Sequence, residues 1–264
     1  MEQLLVWTRA RSISEAIAYS LVVNVLMFFA ALAFGGAVVR AFPNARVAHQ
    51  GPPLSRTELV LASLCVTFNS LVMFAGWWLF QAGLLRVDGA PFGWRWMVDA
   101  VLLVLVMDIA MYATHRVAHF SPIYRFVHEI HHRYDQPRPL TLFVLHPIEV
   151  CGFGGLWIAV LCTHAFSLGG MLLYLTTNTL FGTLGHVGVE PLPEWWARVP
   201  ILRGIGTSTF HARHHQNPTT NFGFYTAIWD RLFTTIDPHY ASNFARLVAS
   251  AERHAAQGCV EANE

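Results

Sequence analysis

Three short stretches of sequence are rich in histidine: His115-Arg-Val-Ala-His119, His128-Glu-Ile-His131-His132 and His211-Ala-Arg-His214-His215. A further histidine, His186, stands alone in Gly-His-Val-Gly. Residues three and four apart lie on one face of an α-helix, so each stretch predicts a helical face that carries two or three imidazoles. Imidazole is the commonest protein ligand of zinc, iron and copper. Three such faces predict an enclosure for one or two metal ions.

The predicted metal ligands are nine histidines: His115, His119, His128, His131, His132, His186, His211, His214 and His215. A single HxxxH pattern is weak, because it also occurs on ordinary helices. Two copies of HxxHH that follow an HxxxH are much harder to explain without a metal. The isolated histidines are interpreted as structural or merely exposed: His49, His164, His239 and His254.

Four more polar residues are candidates for the surroundings of the metal. His146 and Glu149 begin an apolar run, and we expect them to add a ligand or to hold the far nitrogen of one. Asp108 precedes His115 by seven residues on the same helical face and suits the same role. A helix-packing hydrogen bond is an equal alternative for Asp108. Asp230 is expected to orient a ligand or to pair with an arginine.

The composition predicts a membrane protein. Hydrophobic residues make up 54% of the chain and charged residues 12%, with a mean hydropathy of +0.42. In a soluble domain, charged residues make up roughly a quarter of the chain. A net charge of +1 argues against a nucleic-acid-binding protein. The four cysteines show no CxxC spacing, so neither a disulfide framework nor a thiolate metal site is indicated.

Five apolar runs are candidate membrane spans, at about residues 16–39, 59–85, 97–114, 147–163 and 168–185. A cleavable signal peptide, with Ala31-Leu-Ala33 as its cleavage site, is the less favoured interpretation of the first run. The last two runs are joined by a tight turn at Ser167-Leu-Gly-Gly170.

Shorter elements are expected between and after the spans. Ser121 as N-cap and Pro122 in the first turn predict the helix of the second histidine stretch, which Pro137 and Pro139 end. An interfacial amphipathic stretch is predicted at residues 195–202, and a closing amphipathic helix at 242–256.

With five spans in this order, all the histidine stretches lie on one side of the membrane. That side carries thirteen arginines and the other side four, which predicts that it is cytoplasmic. The predicted fold is therefore all-α: a multi-pass transmembrane helical bundle of about five spans, with a helical cytosolic cap that holds a di-metal site. We expect N-terminal transmembrane helices at 1–107, a catalytic domain at 108–240, and a C-terminal amphipathic helix and tail at 241–264.

The pattern from Asp108 to Thr235 resembles the sterol desaturase / fatty acid hydroxylase superfamily of integral-membrane, histidine-rich di-iron oxygenases. The resemblance lies in Asp108-x3-Tyr112-x2-His115-Arg-x2-His119, His128-x2-His131-His132, His146-Pro-x-Glu149, Gly185-His186, His211-x2-His214-His215, Asn221-Phe-Gly223 and Trp229-Asp-Arg-Leu-Phe233. The chain departs from the usual pattern at three places: Gly182 where some relatives have a first histidine of HxxxH, Phe222 where Tyr is usual, and Thr234 where Gly is usual.

The resemblance implies a helical bundle with a cytosolic cap over two non-haem irons, although a purified protein can carry zinc. It implies that O2 and two external electrons are used to hydroxylate or desaturate an unactivated C–H bond of a lipid-like substrate, such as a fatty acyl chain, a sterol or a carotenoid. No haem, flavin or iron–sulfur motif is present, so a separate reductase with a haem or iron–sulfur carrier is implied. The expected location is a bacterial inner membrane or an endoplasmic reticulum equivalent.

Two other functions compete with a lipid oxygenase. A zinc-dependent membrane hydrolase needs about three protein ligands and a water, so nine clustered histidines exceed what one zinc requires. A transition-metal transporter or sensor places its ligands near the middle of the spans, whereas these clusters follow the apolar runs.

Overall fold

The computed structural model describes residues 1–47 and 51–261, without the side chains of residues 197 and 254–261. The chain is mostly helical, with α1 (Glu2–Arg9), α2 (Ile13–Ala41), α3 (Arg56–Gln81), α4 (Trp94–Ala118), α5 (Ser121–Ile123), α6 (Glu129–His132), α7 (Pro147–Thr163), α8 (Leu168–His186), α9 (Ser208–Gln216), α10 (Ile228–Leu232) and α11 (Tyr240–Glu261). A π-helical turn (Tyr124–His128) joins α5 to α6, and 3-10 turns lie at Pro139–Phe143, Glu194–Arg198 and Leu202–Gly204. Outside the described parts are His49 and the side chains of His254 and Cys259.

All five apolar runs form helices. Among the described residues, three helices are long and apolar enough to cross a membrane, namely α2, α3 and α4. Helix α7 is apolar but has only 17 residues, and α8 has 19. Large apolar side chains on the long helices face outward, among them Leu26 (63% exposed) and Leu105 (60% exposed). Exposed apolar surface of this extent is typical of contact with lipid.

Local sequence sets where the first two long helices begin. Ser12 and Ser55 are the N-caps of α2 and α3. Each serine accepts from the backbone N–H of a glutamate three residues later, and the glutamate, Glu15 or Glu58, accepts from the backbone N–H of its serine. Such reciprocal caps satisfy two N–H groups that a helix start leaves free.

The long helices run alternately toward and away from the histidine-bearing end of the bundle. Helices α2, α4 and α8 run toward it, and α3 and α7 run away from it. At the near end, Glu58 in the first turn of α3 pairs with Arg138, whose Nε lies 3.0 Å from Glu58 Oε1. At the far end, Trp77 Nε1 donates to the Thr8 carbonyl over 3.1 Å.

A small anchor at the far end aligns α4 with α8. Strands β1 (Val87–Asp88) and β2 (Phe166–Ser167) pair in parallel there. The backbone N–H of Ser167 donates to Asp99 Oδ2 over 2.7 Å, and the Ser167 side chain caps α8. Gly169 lets α8 approach α4 closely, because a Cβ at this position would lie 1.9 Å from the Trp96 ring. Both helices thus start together and end together at the histidines.

The core between these helices is apolar and contains Phe80, Leu85, Leu103, Met107, Val160, Leu161, Phe166, Tyr174 and Tyr225. The C-terminal helices form a second core over the histidine end, in which Phe244 and Val248 of α11 pack with Phe210 and Tyr240. Their spacing of four residues gives α11 one buried face, so the predicted closing amphipathic helix is confirmed.

Two local predictions are wrong. Ser121 is the first helical residue rather than the N-cap, which is Phe120, and Phe120 makes no side-chain cap. The turn between α7 and α8 lies at 164–167, because Ser167 already caps α8. Residues 195–202 contain parts of two 3-10 turns and expose Trp195 and Ile201, and their contact with a membrane interface stays a prediction.

Candidate metal centre

All nine predicted histidines meet at the near end of the bundle, and they form two groups. The five-histidine group contains His115, His119, His128, His132 and His214. The four-histidine group contains His131, His186, His211 and His215. Within each group the candidate ligand atoms all lie within 4.8 Å of one another. The groups are adjacent, because the rings of His132 and His215 stack with their centroids 4.8 Å apart.

The two HxxHH motifs are divided between the groups in opposite ways. His128 and His132 join the five-histidine group and His131 the other. On α9, His211 and His215 join the four-histidine group, while His214 joins the five-histidine group. Adjacent helical residues point about 100° apart, so one motif can serve two neighbouring centres. The expectation that the three histidines of each motif point the same way is therefore only partly met.

Hydrogen bonds fix the orientation of five rings. In each, Nδ1–H donates to an oxygen: His115 to Phe222 O (2.8 Å), His128 to Glu149 Oε1 (2.6 Å), His131 to Val144 O (3.1 Å), His186 to Gly182 O (2.7 Å) and His214 to Thr220 O (2.6 Å). Carbonyl and carboxylate oxygens only accept hydrogen bonds. The ring hydrogen therefore lies on Nδ1, and Nε2 keeps a free lone pair. This is the form in which imidazole binds metal.

In two contacts between rings, the free lone pairs of the Nε2 atoms face each other. His131 Nε2 lies 3.4 Å from His186 Nε2, and His115 Nε2 lies 3.2 Å from His128 Nε2. No hydrogen is available to bridge either pair, so the contacts are repulsive unless a cation lies between them. Nitrogens bound at 2.0–2.1 Å to one ion are about 3.0 Å apart at a right angle and about 3.4 Å apart at the tetrahedral angle. The observed spacings fit shared ions.

Further ring nitrogens are buried without any hydrogen-bond partner among the described residues: His119 Nε2, His132 Nδ1, His214 Nε2 and His215 Nδ1. Buried polar atoms in folded proteins are almost always paired. His132 and His215 turn Nε2 toward His128 and His211, so the unpaired Nε2 atoms of His119 and His214 are the ones that add ligands. The donor set fits two metal ions.

The electrostatics favour neutral rings. Burial lowers the pKa of His131, His214 and His215 well below the ordinary 6.5, and repulsion from neighbouring rings lowers it further. The same causes lower the pKa of His119 and His132. At neutral pH these rings are thus already in the uncharged form that binds metal.

Of the two candidates at the start of α7, only Glu149 contacts a histidine of either group. Its Oε1 accepts from His128 Nδ1–H, and both side chains are buried. His146 lies outside both groups, and its Nδ1 accepts from the Ile148 backbone N–H as the N-cap of α7. Whether either residue is a ligand stays a prediction.

Asp108 and Asp230 hold the loop that covers the histidines. Asp108 Oδ2 accepts from Thr226 Oγ1 (2.6 Å) and Trp229 Nε1 (3.0 Å). Asp230 accepts from the backbone N–H groups of Phe222 (2.8 Å) and Gly223 (2.7 Å). The hydrogen bonds of the described residues link neither carboxylate to a histidine. Asp230 fixes the Phe222 peptide, whose carbonyl in turn orients His115, so its link to the site is indirect.

Two buried residues that support α9 were not predicted. Asn221 has a positive φ of 59°, and its amide donates to Phe210 O and accepts from the Asp237 N–H. Glu190 accepts from the backbone N–H and the hydroxyl of Thr209 in the first turn of α9. The Asn-Phe-Gly motif marked Asn221 without a physical role, and nothing in the sequence around Glu190 singled it out.

The three departures from the usual pattern have local explanations. The carbonyl of Gly182 orients His186, so this residue supports the site through its backbone. The Phe222 ring contacts the rings of His115, His119 and His214 and shields them. Thr234 has a φ of 55°, a region that β-branched residues rarely adopt, which explains why glycine is usual there.

Comparisons with known proteins agree with this site. The fatty acid hydroxylase family model matches residues 100–235. Among curated proteins, the very-long-chain aldehyde decarbonylase GL1-4 of Oryza sativa subsp. indica is 26% identical over 65% of this chain and 28% of its own length. Methylsterol monooxygenase 1 of Danio rerio is 28% identical over 57% of this chain and 54% of its own length. The methylsterol monooxygenase erg25B of Aspergillus fumigatus is 26% identical over 74% of this chain and 68% of its own length.

The chain thus spans between about a quarter and about half of the length of the first curated relatives that it matches. No solved structure matches it significantly. The family predicted from the histidine motifs is confirmed. Because the family model covers more than half of the sequence, from the second turn of α4 to just beyond α10, this chain belongs to the fatty acid hydroxylase family of the sterol desaturase / fatty acid hydroxylase superfamily.

Proposed function

We propose that this protein is an O2-dependent oxygenase that holds two irons and hydroxylates or desaturates an unactivated C–H bond of a lipid-like substrate. The observation that carries the proposal is the division of nine histidines into two adjacent groups whose free lone pairs face one another. When bound, the irons would supply the O2 chemistry, which no amino-acid side chain can perform.

The residues of the chain would hold, orient and shield that centre. The nine histidines offer imidazole nitrogens as ligands, and the carbonyls of Val144, Gly182, Thr220 and Phe222 fix ring directions. Glu149 places a negative charge behind His128, which strengthens that ring as a donor. The Phe222 ring contacts three of the histidine rings and restricts the access of water.

The proposed substrate class follows from the setting. The histidine groups lie where α4 and α8 end, beside helices with outward apolar faces. A lipid-like molecule can reach such a site from the membrane. The relatives named for methylsterols and for very-long-chain aldehydes support this class, although each name describes that relative.

We further propose five membrane passes with the histidine end in the cytoplasm. The alternating directions of α2, α3, α4, α7 and α8 support this count. At 1.5 Å per residue, α7 and α8 are about 26 and 29 Å long, close to the ~30 Å hydrocarbon core. The excess of arginine at the histidine end supports the orientation.

The proposed division of the chain is 1–107 for N-terminal spans, 108–240 for the catalytic unit and 241–264 for the C-terminal helix and tail. Electrons would come from a separate reductase with a haem or iron–sulfur carrier. A hydrolytic zinc site would leave most of the nine histidines without a role. A transporter is disfavoured because the histidines lie at the helix ends.

Metal analysis and lipid analysis test the proposal together. Protein purified anaerobically with iron supplied should contain about two irons per chain. Cells that express it should contain a lipid with one added oxygen or two fewer hydrogens by mass spectrometry. His131→Ala and His214→Ala, one from each group, should abolish the product while the protein stays in the membrane. The exposed His239, which lies outside both groups, provides the control His239→Ala. One metal per chain, or full activity in either variant, would contradict the proposal.

A further inference from the structure

An exposed apolar patch extends from the end of α4 into the turn that leads to the second histidine stretch. Val117, Phe120, Ile123 and Phe126 recur there every three residues, and each is exposed. Phe120 is 65% exposed and Phe126 is 79% exposed. Soluble surfaces rarely collect so much exposed apolar area in one place unless a partner covers it. Residues 117–126 are called the connecting segment below.

The inner side of the connecting segment packs on the five-histidine group. Tyr124 is half-buried, and its ring centroid lies 5.2 Å from that of His119 and 5.8 Å from that of His132. His119 is itself part of the segment. The segment therefore has one side against the candidate metal ligands and an apolar side that faces outward.

The outward side continues the exposed face of α4. Exposed residues follow one another at intervals of four along this helix: Val101, Leu105, Ile109, Ala113 and Val117. Side chains four residues apart lie on one face of a helix. Helix α4 is long and apolar enough to cross a membrane, so lipid would cover this face. The patch is thus continuous with a lipid-facing surface.

The length of α4 sets the depth of the connecting segment. Trp94 at the start of α4 is exposed, as is typical of tryptophan at a membrane boundary. From Trp94 to Val117 the helix rises about 35 Å, at 1.5 Å per residue. The hydrocarbon core is ~30 Å thick, and the headgroup layers extend the bilayer to about 40–45 Å. A segment that begins at Val117 therefore lies at the level of the headgroups.

The charges of the segment match those of lipid phosphates. Arg116 precedes the exposed apolar side chains, Arg125 lies among them, and both arginines are exposed. Within the described parts of the chain, neither guanidinium pairs with a carboxylate. No acidic residue occurs between Arg116 and His128. Guanidinium groups bind phosphate strongly, and apolar side chains next to basic ones suit the boundary between headgroups and acyl chains.

We infer that the connecting segment docks in the headgroup layer of the membrane, with Phe120 and Phe126 among the acyl chains and with Arg116 and Arg125 on lipid phosphates. The five-histidine group then lies level with the headgroups, because His119 belongs to this segment. The inference goes beyond the proposed oxygen chemistry and rests only on the proposed passage of α4 through the membrane.

Spin labelling measures the depth of the segment. The sample is the full chain without its native cysteines, loaded with diamagnetic zinc, in nanodiscs of phosphatidylcholine and phosphatidylglycerol. A nitroxide at Phe126→Cys should collide more often with O2, which concentrates among acyl chains, than with a water-soluble nickel chelate. Ser242→Cys, at an exposed position of α11, is the control and should show the reverse order. Power-saturation EPR measures both collision rates.

Arg125→Gln in the protein labelled at residue 126 tests the phosphate contact. Loss of one basic group at an anionic surface should raise the nickel collision rate of this label by roughly two- to fivefold. Arg246→Gln removes an exposed arginine of α11 and is the matched control, which should leave that rate unchanged. Equal rates in both variants would overturn the phosphate contact.

A third label, at Leu105→Cys, separates this inference from the proposed passes. Should the label at residue 105 be shielded from nickel while that at 126 is as open to nickel as that at 242, the docking is overturned and the passes stand. A label at 105 that is open to nickel would reject the passage of α4 and the docking with it. A label at 126 shielded from both O2 and nickel would mean that protein covers the patch, which also overturns the docking.

Discussion

At the scale of the residue, the site depends on which nitrogen of each imidazole ring carries the hydrogen and which is free to bind a metal. A metal-binding histidine usually donates its other N–H to an oxygen, which sets both tautomer and direction. Four such oxygens here are backbone carbonyls, and one belongs to a carboxylate, Glu149. Because a charged partner polarises the ring more strongly than a neutral one, Glu149 should matter to metal affinity beyond its shape.

Glu149→Gln removes the negative charge, while the amide oxygen can still accept from His128 Nδ1–H. We expect metal affinity to fall by about ten- to a hundredfold, the usual cost of losing such a partner. Competition with a chelator of known affinity measures the fall. Glu129→Gln, next to His128 in sequence but exposed and paired with Arg133, is the control and should leave affinity unchanged. Equal losses in both variants would show that Glu149 has no special role.

The histidines themselves were predictable because HxxHH and HxxxH repeat at helical spacing. Their carbonyl partners were not, since any residue supplies a backbone oxygen and only the fold decides which one is near. Asp108 shows the same limit: helical spacing placed it on the face of His115, but its carboxylate turns to Thr226 and Trp229. The partner of such a carboxylate depends on tertiary contacts with residues more than a hundred positions away in the sequence.

At the scale of the element, α4 and α8 carry the site because they start from one anchor. The close approach at Gly169 brings Trp96 of α4 against the first turn of α8. Any side chain at this position must push the helices apart, and the displacement continues along both helices to His115 and His186.

Gly169→Ala should therefore lower the melting temperature of the protein in detergent by several degrees, because the added Cβ has no room and overpacking costs about 1–3 kcal/mol. Gly155→Ala on α7 is the matched control. A Cβ there would meet no atom within 4 Å, and alanine favours a helix by roughly 0.5–1 kcal/mol over glycine. The control should be neutral or stabilising. A neutral Gly169→Ala would refute the close contact.

The long helices were predictable because each is an apolar run of the right length. The π turn at Tyr124–His128 was not, since it inserts an extra residue that leaves no mark in the sequence. Likewise, the residue type of Ser121 suits an N-cap, but the helix already includes Ser121, and the N-cap is Phe120.

At the scale of the whole molecule, the proposed five passes would place Phe92 and Ser242 on opposite sides of the membrane. Phe92 lies exposed in the turn before α4, and Ser242 lies exposed on α11 of the cap. The arginine excess predicts the orientation, which stays a prediction. The way the C-terminal helices cover the site could not be predicted, because it rests on contacts such as Phe210 with Tyr240.

Single-cysteine variants test this arrangement in a background without the native cysteines. Phe92→Cys should react with an impermeant maleimide in right-side-out vesicles, and Ser242→Cys only in inside-out vesicles. Mass-tag shifts on gels report the reaction, and detergent-opened vesicles show that both thiols can react. Labelling of both from the same side would contradict the odd number of passes.

The split of each HxxHH motif has a consequence for how the enzyme is assembled. The segment that ends in α6 supplies rings to both groups, and so does α9, so an ion bound in either group would also order three rings of the other group. The first ion bears most of the entropic cost of that ordering, and the second finds its ligands prearranged. Calorimetric titration of the metal-free protein with Co²⁺ should then show uptake in pairs, with few half-filled molecules at any stage. Two independent binding isotherms would mean that metal binding in one histidine group does not order the other group.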